Sequence, residues 1–507
     1  MFDHVLVIKR LSLNSEEGMK MDVKWKWILG FFSGLIVSGC SKRKEEKIVL
    51  DDLDTPTFSN VFVHDPSIIR VEDTFYIFGS HLAVAATKDL MNWTQIAYTA
   101  GGTHPIFGQA QKKFSETLQW AESNTFWAPD MIQLKDGRFY FYYNACRGDS
   151  PLSALGIAVA NEITGPFEDL GIILKSGIWK EVSPDGSVYD ANIHPNVVDP
   201  HVFFDEDGKL WMMYGSYSGG IFILELNPET GFPLEGQGYG EKMLGGNHLR
   251  IEAPYVIFSP ETEYYYLFLT FGGLTADGGY NMRVMRSENP NGPYYDASGQ
   301  KMIEAKGPVG SFFDDLTASR FGSVLMRNHQ FLSVEGESGR TLTEGYISPG
   351  HNSVYYNEET GNYYLIFHTR FSLRGDQHQV RVHEMFLNEE GWFVVAPHRY
   401  SDQELLEYTE IDLIGDYKFI EHGRQISADI SYSTLISLNE DGTLSGEVEG
   451  AWSYNQESHF IELNIDQIIY KGVVSHQWNE FTATFVMTFT AMSNEGVSIW
   501  GSKVVTE

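Results

Sequence analysis

One unit recurs between residues 60 and 400: a polar turn, a strand, a Gly-containing turn, then an aromatic strand. His64-Asp65-Pro66-Ser67-Ile68-Ile69-Arg70 leads to Thr74-Phe75-Tyr76-Ile77-Phe78-Gly79-Ser80. Trp127-Ala128-Pro129-Asp130-Met131-Ile132 leads to Arg138-Phe139-Tyr140-Phe141-Tyr142-Tyr143. Val198-Asp199-Pro200-His201-Val202-Phe203-Phe204 leads to Lys209-Leu210-Trp211-Met212-Met213-Tyr214-Gly215-Ser216. Further copies begin at Glu252-Ala253-Pro254 and at Gly350-His351-Asn352-Ser353. Asp136-Gly137 and Asp207-Gly208 separate aromatic or β-branched runs, a strong hairpin signal. The spacing of the units, about 55–100 residues, suits a four-stranded sheet plus loops, and no long helical periodicity interrupts them. Five such sheets arranged radially make a five-bladed β-propeller, an all-β fold with only short sheet edges.

In a propeller the innermost strands line a central axis, so entry residues of different blades converge there. Those positions hold Asp65, Asp130, Asp199, Glu252 and His351. A single Asp-Pro is a common turn former. Three acids, Asp65, Asp199 and Glu252, at corresponding entries of one repeat point instead to chemistry that needs several carboxyls. Glycoside hydrolysis is such chemistry: one protonated carboxyl donates to the leaving oxygen, and an ionised one activates water or attacks. A third carboxylate raises the acid's pKa by like-charge repulsion.

The ordered motifs His-Asp-Pro, Trp-Ala-Pro-Asp, Asp-Pro with an aromatic hairpin to Tyr-Gly-Ser, and Glu with Pro two residues on resemble glycoside hydrolase family 43 across residues 55–400. The resemblance implies that Asp65 is the general base, Glu252 the general acid, and Asp199 the residue that orients and tunes the acid. It also implies inversion, with carboxyls roughly 6.5–9.5 Å apart. Asp130 is expected to be structural. The one departure is Ala253 where many members carry Gly before the Pro. The fifth unit, with Ser348-Pro349-Gly350-His351-Asn352-Ser353 and Leu365-Ile366-Phe367-His368-Thr369-Arg370, resembles the two-domain bacterial endo-arabinanases of that family. By that resemblance His351 ligates one calcium ion, mostly coordinated by water. His368 and His383 read as hydrogen-bonded blade residues, and Cys146 as a small buried hydrophobe. Trp127, Asn196 and Ser216 are candidate substrate contacts, with blade packing as the alternative.

From Asp412 the pattern changes to short alternating strands with Gly turns, ending at Ile499-Trp500-Gly501-Ser502-Lys503. It reads as a small antiparallel barrel and resembles the lipocalin-like domain appended to these enzymes. The N-terminus has a different character. Lys24-Trp25-Lys26 precedes a short apolar run ending at Val37-Ser38-Gly39-Cys40, too short to span a bilayer and similar to a bacterial lipobox with Cys40 as the acylated residue. Two acyl chains suffice for stable anchoring. The expected organisation is a signal peptide over 1–39, whose first 18 residues precede a conventional start at Met19 or Met21. A tether over 40–54, a propeller over 55–405 and a barrel over 406–507 follow.

Lys+Arg number 36 against 68 Asp+Glu, a formal charge of −32 that repels phosphate and excludes nucleic-acid binding. The expected protein is therefore a monomeric, lipid-anchored, surface-exposed endo-α-1,5-arabinanase acting on arabinan. An exo-acting arabinofuranosidase or β-xylosidase, or a sugar-binding lipoprotein without turnover, are the alternatives.

Overall fold

The computed structural model describes residue 50 and residues 53–506, apart from 180, 338, 340–344 and 373. Cys40 and the segment around it lie outside the described residues. Four antiparallel sheets of four strands each follow one another along the chain, and a fifth completes the set. Their first strands are Ser67–Val71, Asp130–Gln133, His201–Phe204, Ile251–Ser259 and Tyr346–Tyr356. Each packs beside the next, and Tyr346–Tyr356 returns to Ser67–Val71, so the ring of five blades is closed.

The aromatic strands are long uninterrupted runs because both of their faces are buried, as strand alternation requires between two neighbours. In Phe139–Cys146, Phe139, Phe141 and Tyr143 pack toward blade one, beside Phe78 and Val84. Tyr140 and Tyr142 of the same strand face blade three, beside Met212 and Tyr214. The core is thus a set of wedges between blades. The Asp-Gly turns behave as expected: Gly137 and Gly208 have φ of 81° and 78°, a region glycine enters without steric cost.

The fifth sheet holds six strands, since His329–Gln330 and Ser431–Tyr432 extend it beyond Tyr346–Tyr356. Ser431–Tyr432 pairs parallel to His329–Gln330, so the chain re-enters the propeller after the barrel has begun at Gly415–His422. The barrel is closed by eight antiparallel strands, Gly415–His422 pairing with both Thr434–Leu438 and Ser498–Lys503. Its interior is filled by alternate residues such as Tyr417, Phe419, Leu463, Phe489 and Ile499. The other faces of four of its strands are buried too, with Ile420, Val473, Met492 and Trp500 clustered with Phe367, Phe393 and Val394 of the fifth blade. Trp500 is fully buried, its ring 4.9 Å from His329 and 4.3 Å from His422.

Because one cluster spans both parts, Trp500→Ala is expected to cost about 3–5 kcal/mol. Differential scanning calorimetry should show one lowered transition for propeller and barrel together rather than an early loss of the barrel alone.

Candidate active site

Each acid is presented by a backbone turn at the mouth of the ring. Asp65, Asp199 and Ala253 precede Pro66, Pro200 and Pro254 with φ of 56°, 54° and 57°, and His351 has φ 49° in the fifth blade. A left-handed residue that is not glycine costs on the order of 1–3 kcal/mol and persists where its surroundings dictate it. In blade four the left-handed position falls on Ala253, one residue after the acid. There the pairing of Ile251–Ser259 with Tyr264–Phe271 shifts register between Glu252 and Tyr255. Asp130 follows its proline and lies inside a strand. Its carboxylate accepts from Ser67 Oγ and from the Val202 N–H at 2.6 Å, tying the first three blades together.

Asp65, Asp199 and Glu252 are all buried. Asp65 receives Ser80 Oγ and lies 2.8 Å from His64 Nδ1 and 3.1 Å from His351 Nδ1, while its own N–H donates to His368 Nδ1 at 3.2 Å. Burial would raise its pKa, but His351, His64 and His368 outweigh that and hold the carboxyl well below the usual range. Burial pulls His351 down to about 4 and His368 well below its ordinary value. Both are therefore uncharged at neutral pH, where the hydrogen bonds of His64 and Ser80 to Asp65 remain.

Glu252 accepts from Ser216 Oγ and Tyr280 Oη, each at 2.7 Å. Burial pushes its pKa up, the two hydroxyls counter this, and the charge of Asp65 adds to the rise. Asp199 is raised well above the usual range by burial and by the charges of Glu252 and Asp65; the Ala253 N–H, at 3.4 Å, is the donor that opposes this. Two of the three carboxyls are pushed up and one is held down, so ionised Asp65 faces two carboxyls shifted toward the protonated form.

Beneath the acids is a cavity of about 20 Å³ whose wall includes Asp65, Asp130, Asp199, His351 and Asn352. It has room for about one water-sized particle. Neither polar atom of the buried Asn352 amide, nor Ser353 Oγ or His368 Nε2, has a hydrogen-bond partner among the described residues. Carboxylates and the unpartnered Asn352 amide around so small a space suit a single oxygen-seeking ion or a single water. The ligand atoms that lie within 4.8 Å of one another belong to His64, Asp65 and His368. His368 is thus a hydrogen-bonded residue of the fifth blade, as expected, and its imidazole also stands beside Asp65 and His64.

The remaining expected residues are placed as follows. Ser216 is engaged by Glu252. Asn196 is buried, its Oδ1 accepting from Ser153 Oγ and its Nδ2 lying 3.8 Å from Cys146 Sγ, so its amide joins blades two and three. Trp127 is half-buried and donates its backbone N–H to the Asn144 carbonyl. His383 bridges Tyr346 Oη and the Ala396 carbonyl within the fifth blade, and Cys146 is a free buried thiol. Sequence reasoning passed over His64, Ser80 and Tyr280. Ser80 was within reach, because Gly79-Ser80 repeats Gly215-Ser216 at the same point of its blade. Tyr280 carries no sequence signal. Gly350 makes room for it, since a Cβ there would lie 2.3 Å from its ring.

The sequence profile of Glycosyl hydrolases family 43 matches residues 55–315, and that of a C-terminal lipocalin-like domain matches residues 397–501. The chain is 53% identical over 448 residues to an extracellular endo-alpha-(1->5)-L-arabinanase 2 of Bacillus subtilis, covering 88% of this chain and 94% of the relative. It is 48% identical to an extracellular endo-alpha-(1->5)-L-arabinanase of Thermotoga petrophila, covering 89% and 95%. Crystal structures of a family 43 protein from Bacillus licheniformis and of the Thermotoga petrophila arabinanase superpose with TM-scores of 0.85 and 0.84. They cover 88% and 89% of this chain and 99% and 100% of theirs, at 55% and 48% identity. The fold, the axial acids and these matches define a propeller glycosidase with an appended barrel. The chain belongs to glycoside hydrolase family 43.

The left-handed φ of Ala253 explains why a glycine also suits this position. Ala253→Gly is expected to leave the site intact and to raise stability by about 1 kcal/mol or less, read as a higher urea midpoint.

Proposed function

We propose that the chain is an inverting endo-α-1,5-L-arabinanase. The observation that carries this reading is the opposed electrostatics of the three axial carboxyls, taken with relatives of nearly full coverage that are named as endo-arabinanases. Asp65, kept ionised, acts as the base that takes a proton from the attacking water. Glu252, buried and raised, protonates the glycosidic oxygen as the bond to the anomeric carbon breaks, and Ser216 and Tyr280 hold its two oxygens in place. Asp199 shares the proton of Glu252, so that the acid is loaded where an isolated carboxyl would be ionised. A calcium ion beside His351, with Asp65 and the Asn352 amide as further candidate partners, would supply positive charge near the base. The extracellular naming of the relatives supports secretion, and the lipobox-like Cys40 supports an anchor in the outer membrane with the enzyme facing out. Arabinan is the substrate of this reading, and the monomer its working form.

Linear α-1,5-arabinan digested with residues 50–507 should yield a ladder of oligosaccharides at the earliest times. Glu252→Gln should lower the rate by about 10²–10⁴-fold. Arabinose alone from the first time point would indicate exo action, and no product from the wild type would remove the reading.

The pH profile carries a second expectation. A raised acid pKa keeps Glu252 protonated at higher pH, and activity falls as pH rises through it. The Tyr280 hydroxyl donates to the ionised carboxyl and so lowers that pKa. Tyr280→Phe should therefore move the basic limb of kcat/KM to higher pH while lowering its maximum. A limb that moves to lower pH would contradict the assignment.

A further inference from the structure

The loop between the third and fourth strands of blade four, Asn281–Ser287 and Ser323–Met326, carries an apolar surface that the catalytic groups do not use. Phe312 and Phe313 are 66% and 41% exposed, with rings 4.1 Å apart, and Val309 and Leu316 on the same loop are 97% and 74% exposed. Exposed apolar residues clustered this closely mark a contact site more often than chance exposure does.

Three features tie this surface to the acid. The Phe313 ring lies 5.5 Å, edge to face, from Tyr217, the residue after the Ser216 that binds Glu252. The Phe313 N–H donates to the His248 carbonyl at 3.3 Å, and the His248 ring lies 4.9 Å from Phe312. Arg250, two residues before Glu252, makes a two-pronged pair with Asp315, Nε to Oδ1 at 2.9 Å, and its guanidinium lies 5.7 Å from the Phe313 ring. The loop is therefore clamped to the strand that carries the acid. Phe313 itself has φ 58°, a left-handed value unusual for an aromatic residue. The clamp and the strained backbone hold two phenyl rings toward water, where burial would otherwise be favourable.

We propose that Phe312 and Phe313 form a sugar-stacking subsite for arabinan, on the leaving-group side of the bond cleaved. The general acid faces the leaving oxygen, so the residues of the chain beyond that oxygen lie on the Glu252 side. Aromatic faces stack on the C–H faces of sugar rings, and a rigid platform loses little entropy when it does so. An apolar ledge continuing outward from the acid suits a chain that extends past the cleaved bond, as endo cleavage requires. The inference rests on the arabinanase reading.

The test compares wild type, Phe312→Ala and Phe312→Trp on arabinohexaose and arabinotriose. Phe312→Ala should lower kcat/KM on the hexaose about 3- to 10-fold, carried by KM rather than kcat, with a smaller loss on the triose. Phe312→Trp should restore it. Equal losses on both substrates, no loss, or a loss carried by kcat would overturn the subsite. A wild type that cleaves no arabinan would instead remove the substrate reading, and the subsite's ligand with it. Sedimentation of wild type and Phe312→Ala covers the other occupant: a dimer that the substitution dissolves would assign the surface to a second copy of the chain and overturn the proposal.

Discussion

The site depends on a backbone constraint at the start of the innermost strands. Each of Asp65, Asp199 and Ala253 is held left-handed against a following proline, and His351 adopts the same conformation without one. The turn swings the entry residue out of the ladder and toward the axis, so residues separated by more than 280 positions meet at one mouth. Strain of this kind survives only if the ring around it is rigid. Rigidity comes from the aromatic wedges between blades and from Asp130, whose carboxylate spans the first three inner strands.

Burial then separates the roles of the carboxyls. All three acids are removed from water, and burial alone would push each pKa upward. Asp65 escapes because His64, His351, His368 and Ser80 converge on it, whereas Asp199 has a single long donor and two charged neighbours. Glu252 lies between these extremes, opposed by Ser216 and Tyr280. One ionised group and one protonated group are what acid and base catalysis of glycoside cleavage demands. The difference arises from neighbouring charges and hydrogen-bond partners rather than from depth, since all three are comparably buried.

The five-bladed architecture was legible because both faces of each strand are buried, which turns the blades into aromatic runs such as Phe139–Cys146 separated by Asp-Gly turns. The barrel was legible from its alternation, and membership of family 43 from the order of the motifs. Less visible were features set by tertiary contact. Tyr280 reaches Glu252 across a glycine of another blade. Ser431–Tyr432 extends the fifth blade from within the barrel's sequence, which no local pattern signals. His368 sits in an aromatic strand run, and only the closing of the ring brings its imidazole to the Asp65 backbone. The offset of Glu252 from the other acids was readable, but its cause, the register shift beside Ala253, was not.

The barrel shares a core with the fifth blade through Trp500, Ile420 and Val473 and so braces the blade that supplies His351 and His368. The central claim remains the division of labour between an ionised base and a protonated acid on opposite sides of the bond. Proton NMR of the first product released from linear arabinan tests it most directly. The account predicts that the new reducing end appears as the β-anomer, the result of a single displacement by water. An α-anomer formed first would mean a covalent intermediate and would contradict the roles assigned to Asp65 and Glu252.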